Sequence, residues 1–396
     1  MTWYDVVTFS KACLSQAFRK HVDHLTGGTT LKIFINGRFL SQKLTGVQRY
    51  AAEMVKATDR ILANGEAPKA LQEAEWQLLV PDHTISSIEL QHIATRKVGR
   101  LSGHAWDQFD LARAAVGGRL INLANSGPVL RRNQIVVIHD AQVFRRPDFF
   151  NRSYVTVHRT IDAMLARRAT IATVSDFSRH ELADVLHIPA SDIPVFSNSA
   201  EHFAGTVPDN SILDRLGLSS HQFFLSVGTM TKNKNISLAI EAAKGLGRPE
   251  IPLVVVGGGN DKVFQGNSTT ADRGIILAGR LTDDEIAALY SHALAFVFPS
   301  LYEGFGVPPL EAMMYGCPVI ASRAEAVMET CGDAAAYFDA DNVDELKQRM
   351  LERVTAGLIS DEERNRQQAR LAQFSWRKSA NQLLKFLSSQ SRPGFV

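Results

Sequence analysis

Cysteine is scarce in this chain: three in 396 residues, at positions 13, 317 and 331, far apart and odd in number. Such spacing builds neither a disulfide framework nor a metal site, and it fits reduced thiols packed inside a cytoplasmic protein. Long hydrophobic runs are missing too. The longest, such as Ile135-Val-Val-Ile138 and Leu253-Val-Val-Val256, are strand-sized, so no segment reads as a bilayer span. The first residues include Asp5 and no basic start ahead of a long apolar run, which argues against a secretory signal. We read no dense basic stripe or nucleic-acid motif, no Ser-His-Asp elbow and no Asp-x-Asp at a strand end. Nucleic-acid binding, triad hydrolysis and metal-dependent chemistry therefore lose ground.

What is present is a folded composition, 45% apolar and 21% charged, in a chain long enough for about two domains. The net charge of +2 is unevenly spread. Residues 1–200 hold 24 of the 43 Lys/Arg and 18 of the 41 Asp/Glu, so the first half is basic and the rest acidic. A basic half suits anionic lipid or an anionic ligand, and ordinary solvated surface explains it equally well. Within residues 1–30, Trp3, Val7, Leu14, Phe18 and Leu25 fall near helical spacing beside Lys11, Arg19, Lys20 and His21. That segment either lies on a membrane surface or packs on its own domain.

From Leu31 short apolar runs alternate with helical stretches. Strands are expected at residues 32–35, 76–80, 119–123, 135–139, 170–174 and 193–196. Thr45-Gly46-Val47 reads as a loop, and helices follow at 48–63, 153–168 and 176–186. Periodicity fades over 202–209, a linker. A second series has strands at 223–227, 253–256, 274–277, 295–298 and 319–321, and a last helix runs to Leu387. The alternation predicts an α/β chain of two doubly wound domains meeting across a cleft.

The stretch from Pro299 to Gly316 carries the most chemistry. It leaves the strand Ala295-Phe-Val-Phe298, passes through a glycine-bearing loop and enters a helix at Pro308-Pro309, whose preset φ suits a first turn. Glu303 sits in the loop and Glu311 in the helix. Between them, free backbone N–H groups point into the crevice where open α/β sheets bind ligands. Two carboxylates flanking an anion-binding helix end suit a molecule with hydroxyls at both ends and phosphate between, as in a nucleotide-sugar.

Glu303-Gly-Phe-Gly-Val-Pro-Pro-Leu-Glu311 stands with Ser226-Val-Gly-Thr-Met-Thr-Lys-Asn-Lys-Asn-Ile236, Val256-Gly-Gly-Gly259 and Gly279-Arg-Leu-Thr-Asp-Asp-Glu-Ile286. The first half offers Asn36-Gly-Arg38, Thr45-Gly-Val-Gln-Arg49, Val137-Ile-His-Asp140 and Thr173-Val-Ser-Asp-Phe-Ser178. In this set and order, from about Ile33 to Leu387, the chain resembles the retaining glycosyltransferases of family 4, bacterial surface-polysaccharide type. The resemblance implies the GT-B fold: an extension at 1–30, a Rossmann-like acceptor domain at 31–205, a nucleotide-sugar domain at 206–375, and a C-terminal helix at 376–396 packing back on the first domain.

It also implies roles. Glu303 would contact the donor sugar and Glu311 the ribose, which agrees with carboxylates accepting hydrogen bonds from hydroxyls. Amides of Gly304, Phe305, Gly306 and Val307 would approach sugar and phosphate. Lys234 matches the lysine that binds the diphosphate, and His139 the histidine near the reacting carbon. Gly46 and Thr229 would border the phosphates, and Arg280 and Leu281 the base. The chain departs from the family in having Asn233 and Thr229 where many relatives carry arginine or an Arg-Lys pair, with Lys232 a candidate substitute. No cofactor and no metal is implied beyond the nucleotide-diphosphate sugar itself. The expected partners are that donor and a saccharide or lipid-linked acceptor, with no nucleic acid. The protein would be cytoplasmic, with peripheral contact to the inner membrane. Mannosyl transfer is the favoured reading; the alternatives are a nucleotide-sugar epimerase and an inactive sugar-nucleotide-binding subunit.

Overall fold

The computed structural model describes residues 30–258 and 274–390. The amphipathic reading of residues 1–30, Cys13, Gly259 and residues 391–396 lie outside them. Among the described residues, twelve strands form two six-stranded parallel sheets. The first has the order β3-β2-β1-β4-β5-β6. Its strands are β1 (Lys32–Asn36), β2 (Glu75–Val80), β3 (Ala94–Lys97), β4 (Arg119–Asn122), β5 (Gln134–Val137) and β6 (Thr170–Ala172). The second sheet comprises β7 (Phe224–Val227), β8 (Leu253–Val256), β9 (Ile275–Gly279), β10 (Ala295–Phe298), β11 (Val319–Ser322) and β12 (Ala336–Phe338), in the order β12-β11-β10-β7-β8-β9. Read outward from β1 and from β7, the two orders are the same. Strands β5, β8, β10 and β11 are buried along their whole length, which is why they read as unbroken apolar runs.

In each sheet the chain reverses its direction of winding between two central strands, β1 and β4 in one and β7 and β10 in the other. The loops leaving those strands diverge and open a crevice at their carboxyl ends. The two halves meet there. The chain passes from the first half to the second through residues 197–210 and returns at Trp376. The return is pinned: Ser379 Oγ donates to the Ser197 carbonyl at 2.7 Å, and Glu201 accepts the Trp376 amide at 2.7 Å. Helix Trp376–Ser389 then packs on helix Gly46–Ala63, with the Trp376 and Tyr50 rings 5.8 Å apart.

Three expectations need correction. Gly46 does not lie in a loop; it opens helix Gly46–Ala63, with Thr45 as its N-cap residue. Residues 193–196 are not a strand of the sheet but a single bridge, Thr173 to Val195. Pro194 has no N–H to extend the ladder, and only its carbonyl is used, by the Thr173 amide at 3.0 Å. Strand β12 was not expected, and neither was strand β3, Ala-Thr-Arg-Lys. It is an exposed edge strand throughout, so it lacks the apolar alternation that marks a strand.

Candidate active site

The loops after β7 and β10 build the site at the second switch point. After β7, the stem of Lys234 runs beside Gly228, at ordinary contact distance (3.7 Å) from where a Cβ would stand. A short 3-10 turn, Lys232–Lys234, then ends on Asn235 in the left-handed region at φ 51°, where its amide side chain donates to the Ala340 carbonyl at 2.9 Å. The Asn233 carbonyl accepts the Leu301 amide at 2.7 Å, so this turn is tied to the loop leaving β10. That tie sets Lys234 Nζ 2.6 Å from Glu303 Oε1 and 5.4 Å from the Phe298 ring. Both side chains are largely buried, 20% and 13% exposed.

Gly306 adopts φ 100°, a conformation only glycine takes without strain, and turns the chain into helix Val307–Met314. Among the described residues, the amides of Gly304, Phe305, Gly306 and Val307 donate to no protein acceptor. Unspent donors at a helix N-terminus, next to an ammonium, form an anion site. Phe305 points inward, edge-on to Phe374, and its carbonyl accepts from Thr330 Oγ1 at 2.7 Å. Glu311, one turn into the helix, is held at both oxygens: His202 Nε2 lies 2.9 Å from Oε1, and the Tyr290 hydroxyl 3.2 Å from Oε2. Burial, then the Glu311 charge, pushes the Tyr290 hydroxyl well above its ordinary pKa, so it stays a donor.

Across the crevice, the first half presses on Gly304. A Cβ there would overlap the His139 carbonyl oxygen. The Gly304 carbonyl accepts from Ser175 Oγ at 2.6 Å and Ser178 Oγ at 2.9 Å. Ser175 is also the N-cap of helix Asp176–Leu186, whose Asp176 and Phe177 amides donate to the Glu329 carboxylate of the second half at 2.8 and 2.6 Å. His139 is buried, and burial holds its pKa down to about 4, so the ring is neutral and Nε2 donates to the Leu123 carbonyl at 3.1 Å. Burial raises the pKa of Asp140; the Gln142 amide works against that, the Glu303 charge adds to it and the Lys234 charge opposes it. Asp140, Glu303 and Lys234 therefore share one field. A hollow of about 390 Å3 beside Glu303 is lined by residues of both halves, including Arg145, Phe177, Glu181 and Arg323.

The structure thus brings together Lys234, Glu303, the 304–307 amides, His139 and Asp140. Among the described residues, the other expected ones make no hydrogen bond or ion pair with Lys234 or Glu303. Thr229 is exposed and bonds Thr231 Oγ1 at 3.2 Å. Arg280 lies over Gly258, and Leu281 packs on the core. Open space surrounds the α-carbon of Gly46. Lys232, the candidate substitute phosphate ligand, is exposed, and its Nζ donates to the Asp148 carbonyl at 3.3 Å. Asp339-Ala-Asp341 does follow strand β12, contrary to the sequence reading, but at the sheet edge and with Asp339 paired to Arg323 at 2.7 Å. His202 and Tyr290, which grip Glu311, escaped the reading because one sits in an aperiodic linker and the other in an ordinary helical pattern.

Two facing sheets of this order, with the site between them, define a two-domain α/β GT-B fold. It resembles sucrose-phosphate synthase from Thermosynechococcus elongatus, with a TM-score of 0.65 at 17% identity over 91% of this chain and 99% of that one. Residues 214–374 match the family described as glycosyl transferases group 1. The chain is 30% identical over 261 residues to O-antigen chain mannosyltransferase B of Escherichia coli, covering 63% of this chain and 68% of that protein. It is 28% identical over 217 residues to O-antigen chain mannosyltransferase RfbU of Salmonella typhimurium (strain LT2), covering 54% and 58%. The chain belongs to the group 1 glycosyltransferases and is a glycosyltransferase.

Proposed function

We propose that this glycosyltransferase is a retaining, metal-independent mannosyltransferase that uses GDP-mannose and elongates a saccharide or lipid-linked saccharide of the O-antigen type. The observation that carries the donor site is the Lys234–Glu303 pair set against the unspent amides of residues 304–307. Without donor, the two charges neutralise each other. A diphosphate entering between Lys234 and the helix N-terminus would draw the ammonium to itself and leave Glu303 to accept from sugar hydroxyls. The anomeric C–O bond to the diphosphate breaks as the acceptor oxygen bonds to the same carbon from the same face. The leaving diphosphate gains negative charge, which Lys234 and the amides stabilise, and takes the acceptor proton. Glu303 binds sugar in this scheme and forms no covalent intermediate. Glu311 takes the ribose, since each of its oxygens keeps a lone pair beyond the bonds to His202 and Tyr290. Mannose and the O-antigen setting rest on the two relatives named above.

We place the protein on the cytoplasmic side, where nucleotide sugars are made. No helix of the described residues is long and apolar enough to cross a membrane. Between residues 96 and 132, exposed Leu101, Phe109, Val116 and Leu130 are interspersed in sequence with exposed Arg96, Arg100, Arg113 and Arg132, a mixture suited to an anionic bilayer surface. The test of the whole reading is incubation of GDP-mannose with a mannose-terminated acceptor and NMR of the new linkage. An α-mannoside is expected; a β-mannoside would refute retention. Release of free GDP at full rate without acceptor would favour the epimerase alternative, and a thermal shift with a nucleotide sugar but no transfer to any acceptor would favour the inactive sugar-nucleotide-binding subunit.

A further inference from the structure

The chain crosses between its halves twice, through residues 197–210 and again at residues 374–376, and both passages are built against the helix of the donor site. On the outward passage, the 3-10 turn Glu201–Phe203 carries His202, whose side chain is 3% exposed. Its Nε2 lies 2.9 Å from Oε1 of Glu311, within helix Val307–Met314. Just past that helix, the Tyr315 hydroxyl donates to the Phe203 carbonyl at 3.1 Å. On the return passage, Phe374 stands edge-on to Phe305, ahead of the helix, with ring centres 5.2 Å apart. The Trp376 amide then donates to Glu201, the neighbour of His202, at 2.7 Å. The crossing therefore touches the donor helix before it, within it and after it.

A carboxylate has no hydrogen to give, so the His202 nitrogen that faces Glu311 carries one, and Nε2 donates. The other nitrogen, Nδ1, is buried and has no hydrogen-bond partner among the described residues. The ring is held by its one bond to Glu311 and by the rings of Phe203 and Trp376, centred 5.1 and 6.4 Å away. Its aim therefore follows the backbone of the crossing. Tyr290, the other partner of Glu311, belongs to helix Asp283–His292 of the second half and moves with the donor site. We propose that His202 is a positioning residue that aims Glu311 at the ribose hydroxyls and makes their recognition depend on how the two halves are joined. With the crossing arranged as it is here, Glu311 is fixed at both oxygens and keeps a lone pair free on each. If the halves swing apart at residues 197–210, the Nε2 bond is lost and the carboxylate turns on Tyr290 alone. By reciprocity, a nucleotide whose ribose engages Glu311 steadies the crossing. This deepens the donor reading and rests on it.

The probes are GDP and 2′,3′-dideoxy-GDP, which lacks the two hydroxyls, titrated by calorimetry into the whole protein. The wild type should prefer GDP by about tenfold or more, the worth of hydrogen bonds to a charged group. His202→Leu should lose that preference by weakening GDP alone, with dideoxy-GDP unchanged, a pattern that a merely structural loss does not give. His202→Gln, whose amide nitrogen falls where Nε2 stands, should keep the preference; His202→Asn, which falls short of it, should not. This pair also reads the role if the leucine variant fails to fold. The amides of Phe203, Ala204 and Thr206 bond to carbonyls of the same passage. In the wild type their hydrogen exchange should slow more with GDP than with dideoxy-GDP, and in His202→Asn equally with both. A preference undiminished in His202→Leu and His202→Asn, or exchange that ignores the ribose in the wild type, overturns the assignment. Tighter GDP binding in those variants does so too, since the histidine would then occupy the carboxylate and not aim it. Equal affinity of the wild type for the two nucleotides overturns the ribose reading of Glu311 itself, and this assignment with it.

Discussion

The two sheets run in the same order, yet their switch points are furnished differently. Between β1 and β4, Asn36 Nδ2 donates to Asp107 Oδ1 at 3.2 Å and to Asn122 Oδ1 at 3.0 Å. Arg38 pairs with Asp107 at 3.1 Å and donates to Ser126 Oγ at 2.6 Å. Polar groups there are spent on one another. Between β7 and β10, a glycine stands at the end of β7, an ion pair spans the two loops, and a helix begins with its amides unspent. One switch point is structural plumbing for the first half, and the other keeps its charges exchangeable. The same topology therefore supports a scaffold on one side and an anion site on the other, and the difference lies in loop residues.

The comparison breaks first at Lys234. Replacing it by Ala removes the cation at the departing diphosphate, and kcat should fall by about 10²–10³. A loss of that size from Arg38→Ala with no loss of stability would put the chemistry at the wrong switch point. Next comes Gly304→Ala. Its methyl would overlap the His139 carbonyl oxygen, so the halves must separate and the Ser175 and Ser178 bonds to Gly304 must lengthen. We expect a loss of roughly 2–4 kcal/mol on unfolding in denaturant, in line with overpacking plus broken buried hydrogen bonds. Wild-type stability in Gly304→Ala would mean that the halves do not touch there in solution.

An effect of comparable size and opposite sign is expected at Asp162, whose pKa is raised to about 7 by burial, reinforced by Asp140. The folded state therefore holds a proton that the unfolded chain releases near pH 4. Stability from this group falls as pH rises from about 4 to about 7 and stays low above. Asp162→Asn should stabilise the protein by a few kcal/mol at pH 8 and little at pH 4, a difference that thermal melts at the two pH values would show. Equal stabilisation at both would remove the buried charge from the account. Smallest is Glu329→Gln, which weakens the cap on helix Asp176–Leu186 by about 0.5–1 kcal/mol. Its effect should shrink in high salt.

Much of this fold was legible because parallel strands buried on both faces announce themselves as apolar runs. The loop from Pro299 to Gly306 was legible for a local reason: its glycines and prolines dictate the turn and the helix start. Position by position, the reading weakened where tertiary contacts decide. Strand β3 has no apolar face to reveal it. Gly46 belongs to a helix that the glycine itself seemed to delay. Nothing local marks His202 as a partner of Glu311, or Lys232 as reaching Asp148, because those contacts join segments more than eighty residues apart. The cost of burying Asp162 is likewise invisible until helix Arg152–Ala166 is packed against the loop of Asp140.

The most direct test is titration calorimetry of GDP against the wild type, Lys234→Ala and Glu303→Ala. If the ammonium leaves the carboxylate for the diphosphate, Lys234→Ala binds at least about tenfold more weakly. Glu303→Ala should then bind as well as the wild type or better, since its lysine is already released, while transfer collapses. Equal affinity in the lysine and wild-type proteins, or equal losses in both variants, would contradict the exchange.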